Sequence, residues 1–119
     1  MYFKQFLNER CGCASYLVAS RQTHDAAIID PAIETEPYDA LLRERGFRLR
    51  YVIDTHIHAD HVSGARRLVA EHGGEHCLHE SARVAYPFRP LSDHQELELG
   101  QLRLRVLHTP GHRACRRAR

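Results

Sequence analysis

Three histidines and an aspartate crowd into seven positions, Thr55-His56-Ile57-His58-Ala59-Asp60-His61. His56 and His58 are two apart, so in extended backbone both imidazoles project to one side and Ile57 to the other. If the chain then turns into a helix, Asp60 and His61 are carried past the same opening. Imidazole and carboxylate donors converging at one strand end suit zinc, iron or manganese. Each half alone has an ordinary reading. A His-x-His pair is usually surface, and an aspartate before a helix usually caps it. Together, at a strand-to-helix junction, they point to a metal centre. A second stretch, His108-Thr109-Pro110-Gly111-His112, closes an alternating segment. Pro110 and Gly111 favour a tight turn, and His112 would supply a third imidazole.

The elements that must position these residues can be read from periodicity. Tyr2–Leu7, Ala14–Ser20 and Ala26–Asp30 read as strands of an antiparallel meander, with Pro31 closing the third. The spacing of Tyr38, Leu41 and Leu42 predicts a helix, with Pro37 at its start and Gly46 as a left-handed cap. Tyr51–Ile53 reads as a short strand buried on both faces. A second helix is expected from Asp60 or His61 to Gly73-Gly74, with Val62, Ala65, Leu68 and Val69 as its apolar stripe. Cys77–His79 reads as a strand, Ser81–Tyr86 as a helical turn, and Pro90 and Asp93 as loop residues. Gln95–Leu99 and Leu102–Leu107 alternate around Gly100-Gln101, the pattern of a hairpin.

Asp30, at the end of a strand expected to abut the one leading to His56, reads as a turn residue or as a carboxylate orienting a ligand histidine, with the second favoured. His24, His72, His76, His79 and His94 read as surface or partly buried polar residues.

Composition narrows the function classes. The 119 residues carry 17 Lys and Arg against 15 Asp and Glu, a formal net charge of +2. Such a balance argues against a nucleic-acid reader, which concentrates basic charge on one face. The only dense basic run is Arg113–Arg119, most simply a disordered tail. No apolar run is long enough for a membrane span, and the start does not resemble a signal peptide. Cys11, Cys13, Cys77 and Cys115 are poorly spaced for disulfides and read as free thiols. The expected setting is therefore cytoplasmic, with no membrane and no nucleic-acid partner.

THIHADH matches the THxHxDH signature of the metallo-β-lactamase superfamily, and HTPGH resembles its next metal-binding motif. YVIDTHIHADHVSGARRL and LRLRVLHTPGH are similar to the glyoxalase II and persulfide dioxygenase branch, the latter in particular. The resemblance implies an α/β (α+β) fold, the N-terminal half of an αββα sandwich, with residues 1–112 as a partial domain and 113–119 as the basic tail. It implies a metal site among His56, His58, Asp60, His61 and His112, with Asp60 as the catalytic carboxylate. In the dioxygenase scheme the metal is Fe(II), held by positions matching His56 and His112 and an aspartate. The substrate is then a glutathione-derived persulfide. In the glyoxalase II scheme the metal is zinc and the reaction is hydrolysis of a glutathione thioester. Both schemes need a further aspartate downstream of HTPGH, so the chain is expected to be a truncated member. It would be weak or inactive as it stands, a metal-binding fragment with one sheet face uncovered. A homo-oligomer would cover that face.

Overall fold

The computed structural model describes residues 1–8, 13–32, 34–55, 64–79 and 88–106. Its elements are β1 (Tyr2–Asn8), β2 (Cys13–Ala19), β3 (Asp25–Ile29), α1 (Glu36–Arg45), β4 (Arg48–Ile53), α2 (Ala65–His72), β5 (Glu75–His79), β6 (Arg89–Leu91), β7 (Glu96–Leu99) and β8 (Leu102–Arg105). Strands β1 to β6 form one sheet in sequence order, and β7 and β8 pair as a second. The first three strands are antiparallel, as the meander pattern predicts. From β3 onward the neighbours are parallel; α1 carries the chain back between β3 and β4, and α2 between β4 and β5.

Both faces of the large sheet are used. Leu17, Ala19, Ala26, Ile28, Leu49 and Val52 face the helix layer, where Tyr38, Leu41 and Leu42 of α1 and Ala65 and Leu68 of α2 cover them. Val18, Ala27, Ile29, Tyr51, Ile53 and Cys77 face the other way and meet Leu97, Leu99 and Leu104 of the β7–β8 hairpin, with Val106 just beyond it. The layers are thus helices, large sheet, small sheet. Strand β4 keeps both faces apolar through a bulge. Ala26 pairs with Leu49 but Ala27 pairs with Tyr51, so Arg50 is the extra residue. Without that offset, Leu49 and Val52, three apart, could not share a face.

Helix α1 fits its sequence signals. Pro37 lies in the first turn and Gly46 ends the helix at φ 68°, with the Phe47 N–H returning to the Leu42 carbonyl at 3.0 Å. Helix α2 starts later than Asp60 or His61, at Ala65 with Gly64 as N-cap. Pro90 also departs from expectation. It lies in β6, paired with Leu78, rather than in a loop. Strand β6 is the sheet edge, where a residue without an N–H leaves no ladder bond unmade. The hairpin turn Gly100-Gln101 packs onto the β2–β3 turn. Ser20 Oγ–H donates to Gln101 Oε1 at 2.8 Å, and a Cβ on Gly100 would collide with Thr23 Oγ1.

The uncovered surface is smaller than half a sandwich suggests. The small sheet covers the middle of the large one, and its own outer face is charged, with Glu96, Glu98, Arg103 and Arg105 exposed. Among the described residues, the exposed large apolar side chains lie at and just before β1, where Met1 is 68 %, Phe3 54 % and Leu7 74 % exposed.

Candidate metal-site framework

Strands β3, β4 and β5 run parallel, so their carboxyl ends share one edge of the sheet, the edge at which α/β sheets bind ligands. The THIHADH stretch departs from the end of β4 at this edge. Its metal-site candidates His56, His58, Asp60 and His61 lie outside the described residues, as does His112. So do Val62, the Ser81–Tyr86 turn and the 113–119 tail. Among the described residues no three histidine, cysteine, aspartate or glutamate side chains come together. The structure therefore defines the frame around the proposed donors.

That frame is specific. The Thr55 N–H donates to Asp30 Oδ1 at 2.8 Å and the Thr55 hydroxyl donates to Asp30 Oδ2 at 2.6 Å. Asp30 adopts φ 55°, a left-handed conformation that aspartate tolerates better than most residues, and its own N–H donates to the Ile53 carbonyl at 2.7 Å. Thus β3 does abut β4, with Ile29 paired to Ile53. The Asp30 carboxylate holds Thr55, the residue before His56, by both its backbone N–H and its hydroxyl.

The far end of the segment rests on the same turn. The Gly64 N–H points to the Pro31 carbonyl at 3.4 Å, a long contact, and a Cβ at Gly64 would collide with the Ala32 carbonyl oxygen and lie 2.7 Å from Thr35 Cγ2. The turn is itself tied down. The Ala32 N–H donates to the Tyr38 hydroxyl at 2.8 Å, and that hydroxyl lies 2.7 Å from Ser15 Oγ.

One pair was not anticipated. His76, whose sequence context suggests a surface or partly buried polar residue, is buried, and its Nε2–H donates to Asp54 Oδ2 at 2.9 Å. The Asp54 N–H donates to the Cys77 carbonyl at 3.1 Å. The available signal was position. Asp54 follows an apolar strand, and His76 directly precedes the apolar pair Cys77-Leu78. His72 behaves closer to expectation, partly buried with Nε2 2.6 Å from Asp39 Oδ1. Cys77 lies fully buried between the sheets. Burial pushes its thiol up to about 12, against the opposing pull of the Arg89 charge.

The chain belongs to the metallo-β-lactamase superfamily, whose pattern matches residues 8–116. Among its curated relatives is the human protein "Persulfide dioxygenase ETHE1, mitochondrial", 34% identical over 99 residues. That match covers 82% of this chain and 39% of the human one. A hydroxyacylglutathione hydrolase of a Polaromonas species is 33% identical over 104 residues, covering 85% of this chain and 39% of the relative. Among solved structures, the crystal structure of ETHE1 from Myxococcus xanthus superposes with a TM-score of 0.82 at 28% identity. It covers 93% of this chain and 49% of that one. The fold is accordingly of the metallo-β-lactamase type, and the chain spans less than half the length of these relatives. No helix among the described residues is long and apolar enough to cross a membrane.

Proposed function

We propose that this chain carries the first half of a mononuclear metal centre and that the protein acts as a persulfide dioxygenase on a glutathione-derived persulfide. His56 and His112 would hold the metal, with Fe(II) preferred and zinc as the alternative. His58, Asp60 and His61 would line the same opening, with Asp60 as its catalytic carboxylate. A bound iron supplies one-electron and dioxygen chemistry that side chains alone do not offer. The net reaction consumes one persulfide, one dioxygen and one water. It yields the free thiol, sulfite and two protons, the sulfane sulfur losing the four electrons that dioxygen gains.

The observation that carries the reading is the paired hydrogen bond from Thr55 to Asp30 at the carboxyl edge of the parallel strands. It fixes the backbone from which THIHADH begins, as a rigid donor set requires. The similarity to persulfide dioxygenases over most of the chain supports the choice of reaction. The similarity to hydroxyacylglutathione hydrolases keeps a second reading, zinc-dependent thioester hydrolysis. Both schemes require one further carboxylate ligand besides these residues. Residues 1–112 are taken as the domain part, with a second copy as a candidate cover for the bare β1 edge.

The test uses this chain and a full-length counterpart. Elemental analysis of each should show iron or zinc, lost in His112→Ala. Oxygen uptake on glutathione persulfide without hydrolysis of lactoylglutathione favours the dioxygenase. Hydrolysis without oxygen uptake reverses the assignment, and equal metal in His112→Ala removes His112 from the site.

A further inference from the structure

We infer that the buried Asp54–His76 pair is a positioning clasp for the proposed metal-binding segment, acting from the side opposite Asp30. The inference rests on the metal-centre reading above.

Asp54 and His76 are only 6 % and 7 % exposed. Val52 is in register with His76 across β4 and β5, and Val52 packs in the helix-side core. Alternation then places Asp54, like His76, on the helix-facing side of the sheet. Their 2.9 Å bond therefore spans two parallel strands beneath the layer into which the chain must turn after β4. A buried polar pair is a poor device for stability. Two well-packed apolar residues of similar volume do as well or better, because taking such groups out of water costs free energy. What the pair offers instead is direction. Hydrogen bonds fix a side chain and its peptide in a way that apolar contacts do not.

Position makes this useful. The residues just before His56 are held from both neighbouring strands. From β3, the Asp30 carboxylate takes both Thr55 donors at 2.8 and 2.6 Å. From β5, Asp54 is held twice, by His76 through its side chain and by the Cys77 carbonyl through its N–H at 3.1 Å. Two consecutive residues are thus fixed in backbone and side chain directly before the first proposed ligand. Asp30 stands out in the sequence as a strand-end carboxylate, whereas the β5 half of the grip comes from His76, which reads as a surface or partly buried polar residue. His76 and Asp54 are positioning residues, acting on the ligands through the backbone at 54–55.

The test compares the parent chain with His76→Leu, His76→Gln and Asp54→Asn, using Co(II) as probe. Affinity is read by competition with a chromophoric chelator, the ligand field from the visible d–d bands, and folding by far-ultraviolet circular dichroism. His76→Leu, folded, should bind Co(II) about 10–100-fold more weakly, the usual cost of losing an outer partner of a metal site, with altered d–d bands. His76→Gln, whose amide reaches the same distance as Nε2, should recover most of the affinity and the parent spectrum. A merely structural role would lower the melting temperature and leave the bands unchanged. Parent-like affinity and spectrum in folded His76→Leu overturn the clasp. If His76→Leu does not fold, Asp54→Asn decides, since it keeps the shape but weakens the bond. Weaker Co(II) binding supports the clasp and parent-like binding overturns it. A parent that binds no more Co(II) than His56→Ala brings down the metal-centre reading and the clasp with it.

Discussion

Asp30 and Thr55 show how two side chains can set the start of a site. Hydrogen bonds to a carboxylate contribute about 1.5–3 kcal/mol each, so Thr55→Val, which removes only the 2.6 Å hydroxyl bond, should lower unfolding stability by about that amount in urea titrations. Asp30→Ala should cost more. It removes both acceptors and places alanine at φ 55°, a region that disfavours a Cβ. Cys77 gives a pH prediction. Its folded thiol is raised from 9.0 to about 12, so the folded state holds that proton more tightly than the unfolded chain. The contribution is present below pH 9.0 and is lost as pH rises through about 12. In the native protein Cys77 should resist iodoacetamide at pH 8 and become labelled in denaturant, as peptide mass spectrometry would show. At this scale the sequence was partly legible. Asp30 stands out because IIDP ends an apolar strand with a turn, and the adjacent strand could be guessed. His76 was hidden, since a histidine between a glutamate and a cysteine carries no mark of burial. Its bond to Asp54 depends on two strands meeting 22 positions apart.

Among the elements, α1 was legible because local rules decide it, with Pro37 near one end and Gly46 past the other. The start of α2 was not, because tertiary contact decides it. Gly64 sits at the N-cap where the Ala32 carbonyl leaves no room for a side chain, a constraint with no trace in the periodicity. Gly64→Ala should therefore lower stability by about 1–3 kcal/mol, the usual cost of overpacking, and alanine is also the poorer residue at an N-cap. Thermal unfolding of the variant checks this; an unchanged melting temperature would mean that the Ala32 turn yields freely. Pro90 was misread for a related reason, since proline argues against a strand only where the N–H is needed. The β4 bulge was equally illegible, because an extra residue is defined only by its partner strand. Once present it pins the register of β4 on β3, and so brings Thr55 within reach of the Asp30 carboxylate.

For the molecule as a whole, the β7–β8 hairpin was legible from alternation, whereas the layered order came from the resemblance and not from periodicity; in the structure Leu97, Leu99, Leu104 and Val106 are buried and Leu102 partly so. The extent of the bare surface was not legible, because the charged outer face of β7–β8 only makes sense once that sheet is placed. Among the described residues, Phe3 and Leu7 expose apolar surface on an edge strand, the usual route to association. The double variant Phe3→Ser, Leu7→Lys should shift sedimentation velocity profiles toward monomer and leave the circular dichroism spectrum unchanged. The turn at 30–32 has one last consequence. Everything that grips the two ends of the THIHADH segment from the β3 side, from Ser15 and Asp30 to Gly64, lies in the first 64 residues. On a ribosome that cradle can close while the hairpin is still unmade, so the backbone on either side of THIHADH can be set before His112 has emerged.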